Sequence, residues 1–315
     1  DPYEGGRNVK LMSDEWWEVT HTALKKATEL GIEIGMFNSP GWTQAGGPWV
    51  KPNEAMRYLA SSELRIKGPA NISTTLKKPT EQFEDVKVIA YPVPKDDNLI
   101  LDKSNSKISI TPELKNSENI FDGDRLSDAT LPENLDVSIN IIAKESFTAR
   151  SLTIYPSHAN INASFELQAK KGNEFHTISK FNIDWHHLAL IVGFQPFAPV
   201  VMSLNETTAK EFRILVKNIH NEGGIAEIEL SASPKIESYA AKTFAKMFQD
   251  PLPQWDYYMW RAQPEVKKTS LNIDPTKVLD ISKYLTADGK LTWKAPAGEW
   301  VILRTGMTPT GVTNN

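Results

Sequence analysis

The sequence predicts an α/β plus β protein, in which partial (β/α) barrel segments flank an antiparallel β-sandwich of jelly-roll type. Three observations predict it. A helical pattern, a glycine and a short apolar run follow one another between 13 and 37. Short alternating segments joined by Asn, Gly, Ser and Pro turns fill 116–233, the spacing of an all-β sandwich. A second apolar run, VILRTGM, follows a DGK turn near the end of the chain. The boundaries that follow are a partial barrel segment at 1–63, a β-rich connection at 64–115, the sandwich at 116–233, and a linker with return to the barrel at 234–315.

The helix is expected from Ser13 to Leu30. Ser13 is the N-cap, Asp14 and Glu15 face the positive helix end, and Gly31 is the stop. Trp16, Val19, Ala23, Ala27 and Leu30 recur at spacings of three and four and make one apolar stripe. Ile32 to Phe37 read as a buried strand, so helix, glycine and strand give the rhythm of an α/β layer. A second short helix is expected over 53–61. From Leu64 the period changes from helical to alternating. In the sandwich the strand candidates are LDVSINII, ARSLTIYPS, ASFELQAKK, EFHTISKF, PVVMSL, KEFRILVKN and IAEIELSA. A short helix is expected near Tyr239 to Phe248, then the aromatic stretch PLPQWDYYMWRAQP, the turn at Asp288 to Lys290, and a strand at 301 that reads as buried.

The composition excludes several function classes. At 315 residues, 40% apolar and 23% charged, the chain can bury a core without staples. It has no cysteine, so thiolate metal centres, disulfides and cysteine nucleophiles are impossible. That fits a cytoplasm or a bacterial periplasm equally. With 35 Lys and Arg against 39 Asp and Glu there is no basic block to track phosphates, and nucleic acid is not an expected partner. No window approaches the roughly 18 apolar residues of a membrane helix, so no membrane span is expected. The opening DPYEGGRNVK has no apolar signal core, and any targeting peptide is expected to have been removed.

Three stretches together resemble a known family: LGIEIGMFNSPGWTQAGGPWVKPNEAM at 30–56, WDYYMWRAQPEV at 255–266 and VLDISKYLTADGKLTWKAPAGEWVILRTGMTPTG at 278–311. The chain is similar to glycoside hydrolase family 106, the α-L-rhamnosidases of Bacteroidetes that degrade plant pectins. The resemblance implies a large periplasmic, cell-surface or secreted enzyme with a catalytic (β/α) barrel, decorated by galactose-binding-like sandwiches and acting on terminal rhamnose. It also implies that this chain is a fragment, with the remainder of the barrel as its partner and both catalytic carboxyl groups beyond Asn315. An inverting glycosidase sets those groups about 6.5–9.5 Å apart. No catalytic carboxylate is therefore named. Glu33, Glu54, Glu63 and Glu299, the acidic residues near the barrel-like motifs, each have a plain strand, helix-end or turn reading. A noncatalytic carbohydrate-binding module and a structural spacer are the alternatives.

The loop after the first strand is the main site candidate. Asn38, Trp42, Gln44 and Trp49 supply the aromatic platform and planar amides that a sugar ring needs. The tryptophans could equally plug a barrel rim. Arg304 is either a substrate or carboxylate clamp or an ion-paired structural residue, because burial of its charge demands a partner. The WDYYMWR cluster reads as an aromatic hinge. Asp122, Asp124 and Asp128 lie in one oxygen-rich run, FDGDRLSDAT, so calcium is the cofactor to consider, although none is required. A structural turn is the favoured reading, since Leu126 and Ser127 break the EF-hand pattern. DWHH at Asp184 to His187 is read as a surface histidine pair.

Overall fold

The computed structural model describes residues 9–10, 12–35, 50–51, 53–157, 161–185, 197–220, 223–243 and 262–311. It divides into two units, 1–54 with 314–315, and 55–313. In the first, α1 (Asp14–Leu30) forms between the expected caps. The Ser13 side chain accepts the Trp16 N–H at 3.2 Å, and Gly31 at φ +65° closes the helix onto Ala27 and Thr28 carbonyls. Of the expected apolar stripe only Ala27 is buried; Val19 and Leu30 are exposed. Residues 32–35 carry no strand, and Ile32 and Ile34 are exposed, so the described part of the expected barrel strand is not formed. No helix among the described residues is long and apolar enough to cross a membrane.

The second unit begins with a correction. The helix expected at 53–61 is a turn, in which the Glu54 N–H donates to the Lys51 carbonyl at 2.8 Å, followed by a long strand, β1 (Arg57–Thr75). With β2 (Glu84–Pro92), β11 (Leu279–Asp280) and β12 (Lys290–Pro309) it makes a small antiparallel sheet of order β1-β12-β2-β11. Pairing runs from Arg57 opposite Pro309 to Thr75 opposite Lys290, and this ladder outweighs the local helical preference of 53–61. VILRTGM is thus no parallel barrel strand. Ile302, Arg304, Gly306 and Thr308 face inward while Leu303, Thr305 and Met307 are half-buried, the alternation of an antiparallel strand. The described residues contain no closed α/β barrel and no parallel pairing, so the barrel segments expected at 1–63 and 234–315 are not part of what they show.

The ribbon of β1 and β12 folds back on itself. Trp293 and Trp300 pack edge to face with ring centroids 5.9 Å apart, whereas seven residues of straight strand would separate them by about 23 Å. The corner lies at exposed 296–299, opposite a register shift between Gly68 and Ala70. Gly68 is required there: a Cβ would stand 1.8 Å from the Pro296 carbonyl oxygen. Leu76, Val88, Ala90, Ile281, Leu291, Trp293, Ala295, Trp300 and Ile302 form the enclosed core.

Between β2 and β11 lies the sandwich. Its strands are β3 (Ile100–Leu101), β4 (Ser106–Thr111), β5 (Ala129–Thr130), β6 (Val137–Pro156), β7 (Ile161–Lys171), β8 (Glu174–Trp185), β9 (Val200–His220) and β10 (Gly224–Ser231). The order is β3-β10-β6-β9-β7-β8, with β4 beside β6 and β5 beside β10. Four of the expected strands merge into two, because the breaks at 142–147 and 149–151 are register shifts within β6 and β9, not turns. The first part of β6 pairs with β4 and the end of β9, and its last part with β10 and the start of β9. Inner faces of both ladders meet in one core that includes Ile139, Ile141, Leu152, Ile154, Phe165, Phe212, Ile214, Ile228 and Leu230. Strands β3 and β4 lie before 116, so part of the expected connecting segment belongs to this body. A short helix, α2 (Tyr239–Lys242), starts where expected.

Candidate functional site

Asn38, Trp42, Gln44 and Trp49 lie outside the described residues, as do the WDYYMWR cluster and His186 and His187. Arg304 is the predicted site residue with a defined environment. Its place on an inward position of β12 leaves it 1% exposed. Nε and Nη2 each donate to an Asp85 carboxylate oxygen at 2.7 Å, and Nη1 donates to the Leu76 carbonyl at 2.6 Å. The Phe83 ring covers the guanidinium at 5.5 Å. These hydrogen bonds hold the Asp85 carboxyl below its ordinary range and keep Arg304 charged. This is the geometry of a structural ion pair: a fork-to-fork pair that ties β12 to β2 and to the chain leaving β1. Gly289, at φ +84°, stands against the same guanidinium, which couples the DGK turn to it.

Three carboxylate oxygens of the sandwich's acidic loop accept hydrogen bonds from within it. Asp122 Oδ1 accepts the Asp124 N–H at 2.7 Å, Asp122 Oδ2 accepts the Ser127 hydroxyl at 3.0 Å, and Asp124 Oδ1 accepts the Leu126 N–H at 2.9 Å. Asp128 contributes its carbonyl to the Asn119 amide at 2.9 Å. Among the described residues no group of three or more His, Asp or Glu is placed to hold a metal ion. Asp122, Asp124 and Asp128 therefore fit a turn, and no chemical step is assigned to calcium.

Beside this loop stands a carboxylate that the sequence reading did not single out. Glu227 of β10 is 5% exposed and accepts the Gly123 N–H at 2.7 Å. Burial, together with the charges of Asp122 and Glu229, pushes its pKa up to about 7. Glu229, two residues on, is held low by Lys235 at 2.8 Å and Arg125 at 3.0 Å. Arg125 also stacks on the Tyr155 ring at 4.1 Å, and burial raises the Tyr155 hydroxyl. The available signal was IAEIEL, a strand with two carboxylates on one face and apolar residues on the other.

Glu33, Glu54, Glu63 and Glu299 are all exposed. Glu54 Oε2 accepts the Lys51 N–H at 3.1 Å. None is enclosed in the low-dielectric setting that tunes a catalytic acid. A family model described as alpha-L-rhamnosidase, that of glycoside hydrolase family 106, matches residues 2–315. The chain belongs to this family. The structure of a rhamnosidase from Novosphingobium sp. PP1Y matches 98% of this chain and 29% of its own, at 22% identity and a TM-score of 0.68, so the fold is shared. A putative beta-glucuronidase of Formosa agariphila is 33% identical over 90 residues, 28% of this chain and 8% of that protein. This member of family 106 thus spans less than a third of the solved relative and less than a tenth of the curated one.

Proposed function

We propose that this chain is part of an α-L-rhamnosidase that removes terminal α-L-rhamnose from plant pectic polysaccharide. The observation that carries the reading is the family match along residues 2–315. Hydrolysis proceeds by inversion, with one carboxylic acid protonating the leaving oxygen and one carboxylate activating water. Both are assigned to chain outside this one, in the remainder of the barrel; the exposed Glu33, Glu54, Glu63 and Glu299 support that assignment. Asn38, Trp42, Gln44 and Trp49 are assigned to sugar contact, with the tryptophans stacking on the ring and the amides on its hydroxyls. The working compartment is periplasmic, cell-surface or secreted.

An aryl α-L-rhamnoside assay on the full gene product tests the activity, and no release of rhamnose from it or from pectic oligosaccharides would sink the proposal. Proton spectroscopy of the first-formed sugar reads the stereochemistry: a β-rhamnose product supports inversion, an α-product excludes it. The second reading, a noncatalytic carbohydrate-binding role for the sandwich, is compatible with its separate core. A flat calorimetric titration of the chain with pectic oligosaccharides removes that reading.

A further inference from the structure

The chain passes between the small sheet and the sandwich through one cluster of six charged side chains. The entering segment makes a tight turn at 95–98, with Asp96 at φ +64° and Asn98 at φ +62°, a region that Asp and Asn tolerate better than other non-glycine residues. The two adjacent carboxylates of this turn meet different bodies. Asp96 Oδ2 lies 3.3 Å from Nη1 of Arg150 on β6, a residue 7% exposed that also donates to the Ala232 carbonyl at 2.7 Å. Asp97 Oδ2 accepts from Arg65 of β1 at 2.6 Å, and its Oδ1 accepts the Ser233 hydroxyl at 3.4 Å. Arg150 Nε also donates to Glu206 of β9 at 3.0 Å, and the other Glu206 oxygen accepts from Lys268 at 2.7 Å, on the segment that returns to the small sheet. One backbone bond ties the entering segment to the returning one, from the Lys95 N–H to the Ser270 carbonyl at 2.9 Å.

Joined domains move relative to one another by default unless their interface is large and apolar. This junction is polar, yet a single buried guanidinium holds the entering turn, the leaving segment and, through Glu206, the returning segment. Opening the hinge would strip Asp96 from that enclosed charge and leave it with Glu206 and the Ala232 carbonyl as its remaining partners, which opposes opening. We propose that the Asp96–Asp97 turn is a splint that fixes the sandwich in one orientation on the small sheet, making it a rigid arm and not a tethered module.

The sequence has no cysteine, so Lys107→Cys on β4 and Lys294→Cys on β12, both exposed, provide the only two thiols for spin labels. Pulsed dipolar spectroscopy then reads the distance distribution between the two bodies. A single narrow distribution is expected, and a broad one would overturn the proposal. Adding Asp96→Asn with Asp97→Asn, which keeps the turn's backbone preference, is expected at least to double the width while far-UV circular dichroism stays unchanged. An unchanged width would overturn the proposal. If that variant loses its circular dichroism, Arg65→Gln and Glu206→Gln are read separately: broadening in either supports the splint, and parental widths in both reject it.

Discussion

Asp85→Ala and Arg304→Met break the same ion pair from its two ends, and the structure makes their costs unequal. Arg304 is 1% exposed, whereas the Asp85 side chain is 36% exposed. Deleting the carboxylate leaves the guanidinium enclosed, with the Leu76 carbonyl as its remaining hydrogen-bond partner, and losing one member of a buried pair costs about 3–5 kcal/mol. Deleting the guanidinium leaves a carboxylate that water reaches and one orphaned carbonyl, worth about 1–3 kcal/mol. Met retains much of the volume beside Phe83. The expected order is therefore Asp85→Ala worse than Arg304→Met by about 2 kcal/mol. The double variant should cost less than the two singles together, since both remove one interaction. Urea unfolding followed by tryptophan emission is the assay, because Trp293 and Trp300 lie in the core this pair closes. The reverse order, or two costs below about 1 kcal/mol as for a surface pair, refutes the reasoning. The pH profile is a second check. The Asp85 pKa is lowered from an ordinary 3.8, so the pair's contribution is present above that value and fades as pH falls through the lower, folded one. The gap between wild type and Asp85→Ala should narrow only below about pH 4.

Glu227 has the opposite sign. Its pKa rises from 4.5 to about 7, so in chelator-treated protein its contribution is full below pH 4.5 and is lost as pH rises through 7, by at most roughly 3 kcal/mol. Glu227→Gln should flatten that part of the profile, and an equally steep melting-temperature profile in the variant would exclude Glu227 as its source. Gly68→Ala drives a methyl into the Pro296 carbonyl and should cost about 1–3 kcal/mol or more, read as a lowered urea midpoint. Gly123→Ala, with nothing within 4 Å of its Cβ but φ +81°, should cost about 1–2 kcal/mol from backbone conformation alone. On the proposed rhamnosidase reading, Trp42→Ala in the full gene product should raise KM about tenfold, the loss of roughly 1.4 kcal/mol of stacking, with the melting temperature retained; an unchanged KM removes Trp42 from the proposed site.

Much of the sandwich was legible where its strands alternate, as in ASFELQAKK, where Ala163, Phe165, Leu167 and Ala169 all turn inward. The caps of α1 were legible because capping is local: Ser13 and Gly31 need only their own neighbours. The small sheet was not, because its pairing is remote. RYLASSELRI alternates from Arg57, but the first residues of that run also suit a helix, and the deciding partner, β12, lies more than two hundred residues later. The same distance hid Arg304's companion. Nothing within VILRTGM points to Asp85, which sits in EDVKVIAYP as one of two adjacent exposed-looking acids. The sandwich's inner polar residues were missed for another reason: a strand buried on both faces, as β10 is, carries Glu227 at a position that alternation alone marks as solvent-facing.

The nesting of the sandwich between the halves of the small sheet has a consequence during synthesis. About 215 residues separate the end of β1 from the start of β12, and at roughly 5–20 residues per second that is a wait of about 10–40 s. Throughout that interval β1 has its principal ladder partner still untranslated, while every strand of the sandwich is made before Lys290 is reached. The sandwich is therefore the first body able to close its core, and its folding brings the two flanks together at the Asp96–Arg150 junction before they pair. A chain stopped ahead of Lys290 would keep a sound sandwich and carry β1 as a nineteen-residue unpaired edge, the kind of surface on which nascent chains stick to one another.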